Sequence, residues 1–386
     1  MNKKEIAEIK KQFKPEQAVV SRICGCYIDA EKEQKLSFRE AFLSMSEEEV
    51  FKYCDIFRRT LSGTLGKNLL NMEFPLEQEE SGGTQEFLLR LRDSHLEQDE
   101  LLSEFYDKVV ESYYHPENYL ILLIDAVYDI PGKASDKTEM FDASDSVYHF
   151  ILCSICPVKL SKSGLCYNPE SNAIEERVRD WVVEAPANGF LFPAMMDRDT
   201  DIHSTLYYSK KPEELQEDFI SSVLGCDLPL SAAGQRETFN TLLADTLGER
   251  CDYEVVKNIH EELNEMLDEH NRMEEPEPLT LEKQDIRRLM ADSGASEDSL
   301  EAFEETFDAV TGQQAPLLAS NIASQKKFSI QTPDVVVTIN PERADLVETR
   351  LIDGRQCLII TVDDHIEVNG VNVRTLPAPK KEESSS

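Results

Sequence analysis

The chain has 386 residues, 40% of them hydrophobic, enough for about two or three domains with proper cores, and this excludes disorder as its default state. Its 75 Asp and Glu face 40 Lys and Arg, a formal net charge of −35, so the average surface repels phosphate backbones and anionic headgroups. Direct duplex binding would need a local basic patch, and the longest apolar run, Tyr119 to Ile124, falls far short of the ~20 residues of a membrane helix.

The densest basic groupings are Lys3, Lys4, Lys10 and Lys11, then Lys159 and Lys162, then Lys210 and Lys211, all small and far apart. The opening Met1-Asn2-Lys3-Lys4-Glu5 lacks the apolar stretch and cleavage site of a secretory signal, so a cytoplasmic location is expected. Nine scattered cysteines then read as reduced thiols in apolar interiors rather than a disulfide framework.

Residues 1 to about 115 read mainly as helices, with a strand over Ala18 to Ile28, which is rich in Val, Ile, Cys and Tyr. Ser46-Glu47-Glu48-Glu49 is a capping box: Ser46 satisfies the free amides of the first turn while Glu49 reaches back, ahead of Val50, Tyr53, Ile56 and Phe57. Gly82-Gly83 breaks the chain before apolar residues at helical spacing, which His115-Pro116 ends. Tyr119 to Tyr128 and Val147 to Val158 then read as two buried neighbouring strands, with residues 133 to 146 as the loop between them. Gly189 to Met195 and Ser204 to Ser209 extend that sheet.

Past Pro212 an apolar stripe from Leu215 to Leu224 predicts a helix capped by Gly225, and two more helices follow around Ala233 to Leu247 and through Val256 to Leu267. From Glu261 through Glu305 sixteen acidic residues face four basic ones, with Glu274 to Pro278 as an extended linker and helix caps expected at Thr280 and Ser296. Two short β-arms meet at Asp353-Gly354 and two more at Asn369-Gly370, both suited to type I′ turns, so a small antiparallel sheet is expected there.

Three clusters carry candidate chemistry. Asp197-Arg198-Asp199-Thr200-Asp201-Ile202-His203 places Asp197, Asp199, Asp201 and His203 at alternate positions, so an extended chain would aim three carboxylates and an imidazole to one side, where they could hold a divalent cation. The EF-hand reading fails, because Ile202 stands where glycine is needed and Tyr208 where glutamate is needed. Cys153-Ser154-Ile155-Cys156, near His149 and Cys166, has zinc-knuckle spacing; on a strand, however, Cys153 and Cys156 point to opposite faces and cannot share a metal. Cys24-Gly25-Cys26 puts two thiols on one face, an incomplete site. Gly63 to Asn68 has the wrong spacing for a phosphate loop, and Trp181 reads as a core or interface anchor.

Met1-Asn2-Lys3-Lys4-Glu5-Ile6, Arg22-Ile23-Cys24-Gly25-Cys26-Tyr27 and Gly189-Phe190-Leu191-Phe192-Pro193-Ala194 resemble an uncharacterised bacterial domain-of-unknown-function family over nearly the whole chain, which implies no activity. About residues 213 to 375 are also similar in order of parts to the bacterial nucleoid-associated NdpA family. The similarity rests on Phe219 to Gly225, the Leu230-to-Leu247 helix, the acidic helices and a small sheet carrying Val337-Thr338-Ile339-Asn340. That similarity implies nucleoid association, and the acidity favours a route through protein partners.

The expected fold class is α+β: a helical amino-terminal part, a central mainly antiparallel sheet with helices, an acidic helical segment and a small carboxy-terminal antiparallel sheet. The expected divisions are a main domain over 1–230, acidic helices over 231–312, a β domain over 313–376 and a disordered tail over 377–386. The expected function is that of a non-enzymatic interaction protein with a protein partner, no cofactor, no membrane and self-association open. A metal-dependent hydrolase using Asp197, Asp199, Asp201 and His203 is the alternative.

Overall fold

The computed structural model describes residues 1–17, 19–133, 139–248, 251–301, 303, 307, 317–323, 327–362 and 365–373, with backbone alone over 132–133 and 139–145. The chain divides into two compact units, one of Met1–Asn240, His270–Leu281 and Thr311–Ile322, the other of Thr241–Glu269, Glu282–Val310 and Ala323–Ser386.

The first unit opens with helix α1 (Lys3–Gln12), capped by Asn2 and Glu5. Strands β1 (Val20–Ile28) and β2 (Gln34–Ala41), helix α2 (Glu47–Thr60) and strand β3 (Leu69–Glu73) follow. A short turn α3 (Leu76–Glu79) precedes helices α4 (Thr84–Asp93) and α5 (Asp99–Ser112). Strands β4 (Tyr119–Lys133) and β5 (Glu139–Leu160) form the long central pair. Short strands β6 (Leu165–Asn168), β7 (Ala173–Glu176) and β8 (Trp181–Val183) come next. They are followed by β9 (Asn188–Phe192), β10 (Ala194–Met196), β11 (Asp199–Asp201) and β12 (Ser204–Ser209).

The main sheet runs β2-β1-β4-β5-β9-β12-β3, every pair antiparallel, with β8 on the tail of β5. Helices cover both of its faces, and the strands alternate between them with period two. On one face Ile6 and Ile9 of α1 and Cys54 and Phe57 of α2 pack with Leu122, Ile124, Phe150 and Leu152. On the other, Leu88 of α4 and Phe105 and Val109 of α5 pack with Ile121, Leu123, Ile151, Phe190 and Phe219. Burial on both sides explains why β4 and β5 read as nearly continuous apolar runs rather than as alternating ones. Each fully buried Phe there contributes roughly 1.5–3 kcal/mol of transfer free energy.

The Ser46–Glu49 capping box forms as expected, Glu49 N–H donating to Ser46 Oγ at 3.3 Å and Ser46 N–H to Glu49 Oε2 at 3.2 Å. Two strands depart from the helical expectation for the amino-terminal part, namely β2 and β3. β2 is a mostly exposed edge strand, so its hydrophobic pattern is weak; its Phe38 lies across Gly25, where an added Cβ would meet the ring at 2.2 Å. The hairpin arms of β4 and β5 also reach into the expected loop, pairing as far as Lys133 with Glu139.

Past residue 210 come a helical turn α6 (Glu217–Phe219) that continues to Leu224, then helices α7 (Ala232–Leu247), α8 (Tyr253–Arg272) and α9 (Lys283–Asp292). Gly225 ends the first of these in the left-handed conformation, φ +66°, as a capping glycine does. Helix α9 is capped by Glu282 with Asp285; Thr280 lies instead in a two-residue strand β13 (Thr280–Leu281) paired with β14 (Leu317–Leu318). Ser296 accepts from the N–H of Ser299.

The carboxy-terminal strands are antiparallel and form three separate two-stranded sheets. These are β15 (Phe328–Gln331) with β16 (Val336–Ile339), β17 (Val347–Ile352) with β18 (Arg355–Ile360), and β19 (Ile366–Val368) with β20 (Val371–Val373). Asp353 and Gly354 adopt φ +49° and +75°, and Asn369 and Gly370 +49° and +83°, the double left-handed geometry of type I′ turns. The tail over 377–386 lies outside the described residues. Among the described residues no helix is long and apolar enough to cross a membrane.

Candidate functional site

Asp197 and Arg198 adopt φ +50° and +64° and form the turn between β10 and β11, so the segment is not extended throughout. Asp199 Oδ1 accepts from the N–H of Thr200 at 2.7 Å, and Asp201 Oδ1 from that of His203 at 3.1 Å, while the Ser204 hydroxyl donates to Asp201 Oδ2. His203 turns to Glu79, Nδ1 to Oε1 2.7 Å, and that hydrogen bond raises its pKa above the ordinary histidine value. Arg198 reaches Glu8 at 3.2 Å and donates to the carbonyl of Pro131 at 3.0 Å. Asp199, Asp201 and His203 thus each bond to a different group, and the four predicted ligands do not gather among the groups of three ligand atoms that lie within 4.8 Å of one another.

Those groups, among the described residues, are Asp29/Glu31/Glu33 and His95/Asp125/His149. In the first, Asp29 Oδ1 caps the amides of Glu31 and Glu33 at 3.0 and 2.9 Å and Lys35 pairs with the carboxylate, an ordinary acidic turn.

The cysteine pairs fall as strand geometry requires. Cys153 joins the α4/α5 side of the sheet and Cys156 the α1/α2 side, both fully buried, and burial pushes the Cys156 thiol up to about 12. Cys24 and Cys26 share the α4/α5 side, and burial pushes their thiols up to about 12 and about 11. Such thiols are inert as nucleophiles.

A different surface stands out. Strands β6 and β7 form a hairpin, Tyr167 opposite Ile174, and β8 returns along the tail of β5 with Leu160 opposite Trp181 and Val158 opposite Val183. Leu165, Ile174 and Val178 are 77%, 64% and 80% exposed, and Trp181, Val182 and Val183 are exposed with them. Trp181 is therefore no core residue at 56% exposure. A folded surface rarely leaves seven large apolar side chains, Tyr167 included, in water over so short a stretch without a partner to cover them. Among the described strands β8 pairs only with β5, so its outer edge keeps free backbone donors and acceptors.

At the base of this arm an open cleft of about 620 Å³ runs between β8 and the outer side of α2. Phe51, Tyr53, Ile56, Leu120 and Val183 supply its apolar surface. Glu49, Asp55 and Glu184 line it against Lys52 and Arg59, and a neighbouring hollow adds Glu47 and Glu48. Arg59 is already held by Asp55 at 2.7 Å, so the rim is net acidic. Tyr53 is pushed to a raised pKa by its burial and by Glu40 and Glu49 nearby. The Trp181-Val182-Val183 run is the trace of this surface in the sequence, but whether an apolar run is covered depends on elements far from it in the chain.

The chain belongs to the family described as Domain of unknown function (DUF4317), whose pattern matches residues 1–371. No curated protein and no solved structure matches it.

Proposed function

We propose that this member of the family is a non-enzymatic interaction protein that receives an extended, cationic and apolar segment of a protein partner along β8 and the α2 cleft. The observation that carries the reading is the exposed apolar arm, Leu165 to Val183, beside an acid-rimmed cleft. A strand added to the free edge of β8 would satisfy its backbone groups, its apolar side chains would cover Trp181 and Val183, and its Lys or Arg would meet Glu47, Glu48, Glu49 and Glu184.

The net charge of −35 supports the same choice, since it raises the encounter rate with cationic proteins and lowers it with nucleic acid. DNA-binding proteins are the natural holders of such segments, and nucleoid association through them is part of the proposal.

Capture from cell lysate with the tagged full chain, with and without nuclease, tests this. Basic proteins identified in the captured fraction should survive nuclease, weaken with salt, and fall about tenfold or more with Trp181→Asp or Val183→Asp, a loss of at least ~1.4 kcal/mol for a central apolar anchor. Both positions are exposed, so the fold should be untouched. Retention of the same proteins by both variants, or of DNA alone, would defeat the proposal, as would a homodimer that dissolves with Trp181→Asp and captures nothing else.

A further inference from the structure

At the rim of the α4/α5 face of the sheet, Asp125 of β4 carries a carboxylate whose side chain is only 1% exposed. His149 of β5 meets one of its oxygens, Nε2 to Oδ1 2.6 Å, and His95, in the loop after α4, approaches the other, Nδ1 to Oδ2 3.3 Å. The two imidazoles stack, centroids 4.6 Å apart and planes 15° apart, so both present a nitrogen to the same carboxylate.

The surroundings fix these groups. Ser21 donates to Asp125 through its hydroxyl, the Arg22 guanidinium donates to the carbonyl of His95, and Glu97 holds Arg22 at 2.8 Å. His95 and Leu96 adopt φ +50° and +55°, a conformation that costs a non-glycine residue free energy and here aims the ring at Asp125.

The donor chemistry narrows what the group can take. Two imidazole nitrogens with one carboxylate oxygen are the ligands of zinc, iron, cobalt and nickel; magnesium and calcium prefer oxygen alone. A first-row ion with bonds of about 2.0–2.2 Å needs neighbouring ligand atoms roughly 3–3.5 Å apart. One ligand atom from each of the three residues already lies within 4.8 Å of the other two, so side-chain shifts of about an ångström bring them to that spacing. His95 is more than half exposed, which leaves an entry path and room for water in the remaining positions. Ser21 and Arg22 supply the outer hydrogen bonds that orient ligands in such centres.

We infer that His95, Asp125 and His149 form a three-ligand site for a divalent first-row transition ion of the zinc or ferrous class, completed by water. The site is separate from the docking arm and does not depend on it.

Titrating the full chain with Co²⁺, followed by visible absorption, and with Zn²⁺, followed by calorimetry, tests the inference. One equivalent should bind with no sulfur-to-cobalt charge-transfer band, and His95→Ala and His149→Ala should each weaken it about 100-fold while excess Mg²⁺ does not compete. His95→Ala should still fold without metal, since its ring is more than half exposed and Asp125 keeps His149 and Ser21, so it decides the matter even if His149→Ala folds poorly. Unchanged affinity in His95→Ala, a thiolate band, or no binding of either ion would overturn the inference.

Discussion

Gly189→Val is expected to leave the protein unable to fold, and Gly189→Ala to cost about 3 kcal/mol or more, the upper range for forcing atoms into a packed interior. Gly189 lies in β9 between β5 and β12, opposite Ser154 and Tyr208. A Cβ there would stand 2.3 Å from the backbone carbonyl oxygen of Cys153 and 2.6 Å from Cγ2 of Thr60. The carbonyl belongs to the neighbouring strand and cannot swing aside. Thr60, at the end of α2, is held too, its hydroxyl donating to the carbonyl of Ile56 at 3.1 Å and lying 2.7 Å from the hydroxyl of Ser154. The missing Cβ is thus what lets α2, and with it one wall of the cleft, sit close against the sheet. Urea unfolding followed by far-ultraviolet circular dichroism gives the answer; a wild-type midpoint for Gly189→Ala would refute this close approach.

Asn188→Ala should cost about 2–4 kcal/mol, because it strands the buried Tyr113 phenol at roughly 1–3 kcal/mol and takes one hydrogen bond, about 1 kcal/mol, from the buried Tyr207 phenol, which Gln216 and Ser209 also reach. The Asn188 amide donates to Tyr207 Oη at 2.8 Å and its Oδ1 accepts from Tyr113 at 2.9 Å. All three side chains are buried, and burial pushes the Tyr207 phenol up to about 12 and raises that of Tyr113 further. The network ties α5 to β9 and β12 across the sheet face. Tyr113→Phe removes one hydroxyl and strands only the Asn188 oxygen, so about 1–2 kcal/mol is expected from the same denaturation series, less than for Asn188→Ala. Equal stability of Asn188→Ala and the wild type would contradict this network.

What was legible in the sequence was local. The Ser46–Glu49 box needs only four adjacent residues, and Asp353-Gly354 and Asn369-Gly370 declare their turns through the φ values those residues tolerate. The separation of Cys153 from Cys156 follows from strand alternation alone, and it removed a metal reading that spacing by itself invited. Strand β2 was illegible because its identity comes from pairing with β1; with nearly every side chain in water it lacks the periodicity that marks a strand. The His95–Asp125–His149 group was hidden for a related reason, since its histidines lie 30 and 24 residues from the aspartate. One trace was present: Asp125 is the lone charge inside the apolar run Tyr119–Tyr128, and a carboxylate forced under cover needs partners. Burial pushes that carboxyl up, yet the bonds from His149, Ser21 and His95 outweigh it and hold the group below the ordinary range. The Asp197-to-His203 pattern misled in the opposite direction. Its alternation presumed an extended chain, and the turn at Asp197-Arg198 with the pairing of His203 to Glu79 dispersed the side chains.

The most direct test of the docking account is amide hydrogen exchange on the full chain, alone and saturated with the basic protein it captures. The account predicts slowed exchange in β8 around Trp181–Val183 and along α2 from Glu47 to Arg59, with the carboxy-terminal hairpins unchanged. Protection confined to those hairpins or to the acidic helices, with Trp181–Val183 exchanging as in the free chain, would contradict it.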